Sequence, residues 1–299
     1  MEEVIFKRPE LEDRELIESY FAKAPSRSCD RNFVNVYLWS RHYYVTFAIV
    51  EDAMVFKDET DGDLRFAYPA GEPENVRKAI AYIKTYFAEK GKPFQMYNVL
   101  EEQYAQFTQW YQQGYQIAYN PDLADYVYEQ EKLETLSGKK LHGKRNHINK
   151  FKTLYEDWQY ETLSDENVEE CFQMALEWRE INGCEDDEEK NAEMCVTLNS
   201  LRLFKELGEV GGILRVNGKI AAFTIGEAQN EDTFVVHIEK AFADIEGAYP
   251  MINQQFVAHE CKDFRYINRE EDTGAEGLRK AKLSYRPVFM VEKGVISEA

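Results

Sequence analysis

The pattern of apolar and polar positions along the chain predicts two successive runs of strands and helices. In the first half, a hairpin over residues 43–57 precedes a helix that opens at Pro73 and ends at Gly91, then a strand, a helix and two short strands. In the second half, Asn217-Gly218 joins two strands of period-two alternation, the strongest hairpin signal in the chain. A third strand and then helix, strand, helix and strand follow it. The pattern predicts an α/β (α+β) fold with mixed sheets flanked by helices.

The third strand of the second half, over residues 233–242, carries the first candidate chemistry. One face carries Phe234, Val236, Ile238 and Phe242, and the other carries Val235, His237 and Glu239. A histidine and a carboxylate on one face are candidates for proton transfer, and Glu227, at the end of the preceding strand, is a second candidate base. The alternative is that His237 and Glu239 pair with each other, with Lys240 or with neighbouring chain ends.

Residues 139–152, Lys-Lys-Leu-His-Gly-Lys-Arg-Asn-His-Ile-Asn-Lys-Phe-Lys, contain six lysines and arginines, two histidines and no acid. Read as a helix, the stretch has an apolar stripe formed by Leu141, Ile148, Phe151 and Tyr155. Lys140, Lys144 and His147 line another face. Because the chain carries a formal charge of −19, the residues outside this stretch sum to about −25. The stretch is therefore typical of a site for an anion, and the alternative is a solvated basic face.

The length of 299 residues predicts two domains, assigned to residues 1–134 and 135–299. Both halves run as a hairpin unit, an Ala-Tyr-Pro tripeptide, and then helix, strand, helix and strand. The tripeptides are Ala67-Tyr68-Pro69 and Ala248-Tyr249-Pro250. The shared order of elements favours an internal duplication.

Composition excludes several classes of protein. A pI near 4.8 argues against general coating of nucleic acid. Five scattered cysteines, without a Cys-x-x-Cys pair, and five histidines without metal-ligand spacing support neither a disulfide framework nor a metal site. The start Met1-Glu2-Glu3 has no apolar run, and no stretch is long enough to span a bilayer. We expect a reduced, cytoplasmic protein without stable membrane insertion.

Polar residues at the end of the chain form a second group of candidates. Asn268, Arg269 and the acids of residues 270–272 leave the carboxyl end of a predicted strand, where open α/β sheets bind ligands. Arg279 and Lys282 share one face of a short helix, and Lys280 lies between them. These cations are interpreted as catalytic, and the alternative is a set of salt bridges to the acids of residues 270–272.

The predicted order of elements resembles the GNAT acyltransferase fold, and two such units in tandem resemble the Fem-type peptidyl transferases. The whole chain resembles the C-terminal catalytic domain of phosphatidylglycerol lysyltransferases, the DUF2156 group. The residues that carry the resemblance are Asp30, Phe33, Asn35, Tyr37 and Trp39; Gly138, Lys139, Lys140, Lys144, Arg145, Asn146, Ile148 and Asn149; residues 237–241 and 247–250; and residues 267–272 and 277–285.

That resemblance implies transfer of an aminoacyl group from charged tRNA to an amine or to a lipid hydroxyl. It places the transferase lysine at Lys282, within the family's Phe-Lys-x-x-Phe motif. In this chain Ala281 replaces the first aromatic residue of that motif, and Tyr285 stands at the position of the last. We expect Lys282, Arg279, Glu239 and His237 to be catalytic. The expected substrate-binding residues are Lys139, Lys140, Lys144, Arg145, Asn268, Arg269, Tyr249 and Tyr285.

Two other functions stay open. One is an N-acetyltransferase that uses acetyl-CoA, although the segment from Glu246 to Pro250 has one glycine where acetyl-CoA enzymes have a Gly-rich loop, and a proline that lacks an amide donor. The other is a non-catalytic module on the same fold that binds RNA or another anion. The acceptor is expected to be a small molecule or a lipid.

Overall fold

A computed structural model of the protein describes residues 4–299, and residues 1–3, which open the first predicted domain, lie outside the described residues. The helices are α1 (Arg14–Lys23), α2 (Phe33–Trp39), α3 (Pro73–Lys90), α4 (Glu101–Trp110), α5 (Gln130–Thr135), α6 (His142–Leu154), α7 (Val168–Ile181), α8 (Glu188–Arg202), α9 (Phe204–Leu207), α10 (Ala248–Glu260) and α11 (Glu276–Ser284). The strands are β1 (Val45–Val50), β2 (Ala53–Asp58), β3 (Arg65–Ala67), β4 (Gln95–Val99), β5 (Tyr115–Tyr119), β6 (Asp125–Glu129), β7 (Gln159–Thr162), β8 (Val210–Val216), β9 (Lys219–Ala228), β10 (Thr233–Ala241), β11 (Tyr266–Asn268), β12 (Phe289–Val291) and β13 (Gly294–Glu298).

The chain divides into two compact units, and the division differs from the predicted boundary after residue 134. The first unit contains the described residues through Asp125 together with Val291–Ala299, and the second contains Tyr126–Met290. The difference arises from two strands. The sheet of the first unit includes the C-terminal strand β13, between β4 and β5, while β6 pairs with β11 in the sheet of the second unit.

The first unit is built on a six-stranded sheet in the order β1-β2-β3-β4-β13-β5. Its core cluster includes the apolar stripe of α3, in which Val76, Ile80, Ile83 and Phe87 are buried. α3 begins with Pro73 and is followed by Gly91 in the left-handed conformation, as its sequence predicts.

The second unit is built on a seven-stranded sheet in the order β12-β6-β11-β10-β9-β8-β7, in which β10 and β11 are parallel. One core cluster includes buried apolar residues of α6 and α10, and another includes buried apolar residues of α7 and α8. Two mixed sheets flanked by helices confirm the predicted α/β fold class. No helix within residues 4–299 is long and apolar enough to cross a bilayer.

The predicted alternation along β10 is wrong because the strand contains a bulge. The pairing with β9 shifts register between Val236 and Ile238. Val236 therefore packs in the cluster that contains α10, whereas Ile238 packs in the cluster of α7 and α8. Glu239 follows the bulge and bonds Asn253 of α10. His237 and Glu239 consequently have different surroundings.

Candidate functional site

A group of charged side chains surrounds the ring of Tyr285 in the second unit. The Lys144 ammonium, on α6, lies 3.9 Å from the ring centroid, and the Arg269 guanidinium carbon lies 5.0 Å from it. Arg269 Nη2 donates to Glu239 Oε1 at 2.9 Å, and Asn253 Nδ2 donates to Glu239 Oε2 at 3.2 Å. We call these five residues the Tyr285 cluster. Both oxygens of its carboxylate are hydrogen-bonded, and two cations contact one aromatic ring.

The electrostatics of the Tyr285 cluster single out Lys144. Burial, and then the charge of Arg269, lower the pKa of Lys144 to about 8, and Glu239 opposes part of that change. Burial would also lower the pKa of Arg269, but Glu239, Tyr128 and Tyr285 together outweigh it and raise the pKa. Burial raises the pKa of the Tyr285 hydroxyl. At neutral pH, Lys144 is the cation of this cluster nearest to giving up its proton.

His237 lies between two carboxylates. Its Nδ1 is 2.7 Å from Glu270 Oε1 and its Nε2 is 3.1 Å from Glu227 Oε1. Burial by itself lowers the pKa of His237, but these two hydrogen bonds outweigh it and raise the pKa to about 10. The ring is therefore an imidazolium at neutral pH, with both N–H groups donated. Its role as a catalytic base stays a prediction, and its contacts favour the structural alternative.

The segment after β11 is held by Lys282. Its ammonium, on α11, donates to the backbone carbonyl oxygens of Arg269 at 2.6 Å, of Glu270 at 3.3 Å and of Glu271. The buried Asn268 side chain accepts the Glu270 N–H at 2.7 Å, and Glu270 has a φ of 56°. Lys282 is buried and fixes the backbone from which Arg269 projects. A direct catalytic role for Lys282 stays a prediction.

Arg279 forms a two-point ion pair with Asp272. Its Nε and Nη2 lie 2.8 and 2.7 Å from the two carboxylate oxygens, and the Tyr126 hydroxyl donates to the same carboxylate at 2.5 Å. Burial raises the pKa of Asp272, but Arg279 and Tyr126 outweigh it and lower the pKa to about 2. The contacts of Arg279 match the alternative prediction of a salt bridge to the acidic segment.

The basic stretch forms α6 and the turn before it, and the predicted apolar stripe is confirmed, since Ile148 and Phe151 are buried. Lys139 and Lys140 are exposed in the turn. Arg145 Nη1 donates instead to the backbone carbonyls of Leu136 and of Gly138. The stretch therefore offers exposed lysines at its start, while Arg145 holds the preceding loop.

Tyr249 and Asn253 lie on α10. Tyr249, in the first turn, is 37% exposed and interacts with the backbone of Ala241 and the Trp178 side chain, and burial raises its pKa. Asn253 was missed by sequence reasoning, although its position offered a signal. It is an amide between Ile252 and Phe256, on the buried side of the helix. The structure thus brings together Lys144, Glu239, Arg269 and Tyr285 of the predicted residues, and adds Asn253.

Comparisons with known proteins identify the family of the chain and two of its relatives. Residues 21–294 match the family model described as phosphatidylglycerol lysyltransferase, C-terminal. A conserved protein of unknown function from Bacteroides thetaiotaomicron is 36% identical, with a TM-score of 0.92 over 99% of this chain and 100% of that chain. An uncharacterized protein, MYCGA3080, of Mycoplasmoides gallisepticum is 27% identical over 180 residues, 58% of this chain. The match spans 55% of that curated relative's length.

Two solved structures share the fold at low identity. The C-terminal domain (DUF2156) of a putative lysylphosphatidylglycerol synthetase from Agrobacterium fabrum has a TM-score of 0.68 at 13% identity, over 97% of this chain and 92% of that chain. L-PGS from Bacillus licheniformis has a TM-score of 0.66 at 16% identity, over 98% and 93% of the two chains. These matches show that the chain shares its fold with both structures. With the family model matched over most of its length, this chain belongs to the family of phosphatidylglycerol lysyltransferase C-terminal domains.

Proposed function

We propose that the protein transfers an aminoacyl group from charged tRNA to an amine or hydroxyl acceptor at the Tyr285 cluster. The observation that carries the proposal is the position of Lys144, on α6 and against the ring of Tyr285, just after the turn that carries the exposed Lys139 and Lys140. The basic stretch thus supplies cations for phosphate groups in its first turn and a half-buried cation at the cluster.

The Tyr285 cluster has the groups that acyl transfer needs. Attack on an ester places negative charge on the carbonyl oxygen, and cations in a site of low dielectric stabilise that charge. Lys144 and Arg269 are such cations, and Glu239 balances Arg269 through their 2.9 Å ion pair. In this proposal Lys282 and Arg279 are positioning residues, because they hold the segment that carries Arg269.

The test supplies a bulk tRNA pool charged with radiolabelled amino acids and two acceptors, phosphatidylglycerol vesicles and a mixture of small primary amines. Label is expected to leave tRNA and appear on one acceptor, faster than in a control without protein. Lys144→Met should abolish that transfer, while Lys152→Met, an exposed lysine on the same helix, should retain it.

The competing functions give different results. Transfer from labelled acetyl-CoA to the amines, with charged tRNA left intact, would identify an N-acetyltransferase. Binding of tRNA that depends on salt, without transfer from either donor, would identify a non-catalytic module. Either result would overturn the proposal.

A further inference from the structure

Lys144 differs from the buried lysines of the protein in its partners. Lys57, Lys240, Lys282 and Lys293 are buried, and each ammonium contacts a carboxylate or carbonyl oxygen. Within residues 4–299, the half-buried Lys144 ammonium has the face of Tyr285 as its contact, and no oxygen lies within hydrogen-bonding distance. An ammonium that has lost water without gaining an acceptor is poised to lose its proton.

The charged groups around Lys144 also favour loss of its proton. Arg269, from the segment after β11, faces it with a positive charge, and Tyr285, after α11, presents its ring. Glu239, from β10, is the carboxylate of this group, and its two oxygens already bond Arg269 and Asn253. The pKa of Lys144 is accordingly lowered to about 8, so about a tenth of the molecules carry the neutral amine at pH 7.

The other candidate bases, His237 and Glu239, are already engaged in hydrogen bonds to neighbouring side chains. Both ring nitrogens of His237 are bonded to carboxylates, and both oxygens of Glu239 accept hydrogen bonds. From this geometry we infer that Lys144 is the proton acceptor of the transfer reaction, a catalytic residue that contacts the acceptor's reacting atom. The inference rests on the proposed function and identifies the group that carries the proton.

The step balances as a general-base reaction. The neutral amine of Lys144 takes the proton from the acceptor's O–H or N–H as the acceptor oxygen or nitrogen bonds to the ester carbonyl carbon. The carbonyl oxygen carries the negative charge of the tetrahedral intermediate, beside Arg269. The carbonyl then re-forms, the bond to the ribose oxygen breaks, and the Lys144 ammonium returns the proton to that oxygen. The products are acylated acceptor and tRNA with a terminal hydroxyl.

The first experiment measures Lys144 in the wild-type protein without any substrate. The intact protein is labelled briefly with trace acetic anhydride between pH 6 and 11, and the modification of each lysine peptide is quantified by mass spectrometry. The rate at Lys144 should rise with a midpoint near pH 8, about two units below the midpoint near 10.4 typical of surface lysines. A midpoint near 10.4 at Lys144 would overturn the inference, whatever the donor proves to be.

The second experiment replaces the base but keeps the cation. Lys144→Arg should lower kcat for transfer from the charged tRNA pool by roughly a hundredfold or more, because arginine does not deprotonate, while tRNA affinity stays within about threefold. The rise of wild-type kcat with pH, with an apparent pKa near 8, should disappear in the variant. Lys152→Arg, on the same helix, is the control and should keep the wild-type kcat and its rise with pH.

The two experiments separate the inference from the proposed function. Wild-type turnover in Lys144→Arg, or an unchanged pH profile, would show that Lys144 acts by charge alone. That result would refute the role of Lys144 as a base and leave the proposed transferase function standing. If no transfer from charged tRNA occurs, the proposed function is refuted. The pH midpoint of acetic anhydride labelling would still decide whether Lys144 presents a neutral amine near pH 8.

Discussion

Lys282 and Lys144 carry the same functional group, yet the structure gives them different surroundings. Lys282 donates to three backbone carbonyl oxygens, whereas Lys144 rests on an aromatic ring without an oxygen partner among the described residues. The sequence places each lysine on a helix and near other cations, but it does not show which carbonyls lie within reach. This is why the sequence predicts both as site residues and cannot assign their roles.

Lys282→Met separates positioning from catalysis. Because the substitution leaves buried carbonyls unsatisfied, we expect it to lower the free energy of unfolding by about 1–3 kcal/mol, with turnover per folded molecule within roughly tenfold of wild type. Lys280→Met, an exposed neighbour on α11, should change neither quantity. The readouts are thermal melting and turnover corrected for the folded fraction. A loss of two to three decades in turnover with an unchanged melting temperature would instead restore Lys282 as a catalytic residue.

His237→Gln removes a buried cation between Glu227 and Glu270. Removing the positive charge that lies between those two carboxylates should cost about 3–5 kcal/mol of stability at pH 7. Because the folded-state pKa is raised to about 10, the stabilisation by His237 is complete below its unfolded pKa of about 6.5 and is lost as the pH rises through about 10. Urea unfolding should show that wild type and variant differ less in free energy of unfolding at pH 10 than at pH 6.5. His147→Gln, at an exposed position, is the control, and a gap independent of pH would contradict the ion-pair account.

At the scale of the elements, the sequence predicts most of the second unit's order correctly. The Asn217-Gly218 turn joins β8 and β9, and both residues have the positive φ that such a hairpin requires. The bulge in β10 was not predictable, since an extra residue leaves no mark on a run of apolar side chains. That bulge separates the surroundings of His237 from those of Glu239.

Gly247→Ala tests the close approach of α6 and α10. Gly247 precedes α10 with a φ of 85°, and an added Cβ would lie 3.0 Å from the His147 carbonyl oxygen and 3.0 Å from Phe151 Cβ. We expect a loss of about 1–3 kcal/mol from backbone strain and crowding. Gly277→Ala, in α11 with open space around it, should instead be neutral or gain up to about 1 kcal/mol. Equal effects of the two substitutions on denaturant midpoints would contradict the packing argument.

At the scale of the whole molecule, the chain length predicted two units but not their boundaries. The C-terminal strand β13 completes the sheet of the first unit, and the adjacent Lys293 is buried with its ammonium 2.7 Å from both Asp30 and Asp125. Residues near 30, 125 and 293 are brought together by the fold, and no local pattern links them. The family resemblance, by contrast, rests on local motifs, and the matched family model confirms it.

The uneven charge of the molecule leads to a prediction about tRNA affinity. With −19 overall and exposed Lys139 and Lys140 ahead of α6, we expect binding of unacylated tRNA to weaken steeply with salt, since each phosphate contact releases counterions. The double substitution of Lys139 and Lys140 by Ala should flatten the slope of log K against log salt by about one unit per lost contact.

Arg145→Ala should lower stability and change the slope little, because that guanidinium donates to backbone carbonyls. Lys262→Ala, an exposed lysine outside the basic stretch, controls for the loss of one positive charge elsewhere. Filter binding between about 50 and 200 mM salt measures each slope. A slope in the double variant equal to that of wild type would mean that the turn before α6 is a solvated basic face, and that tRNA, if bound, contacts another surface.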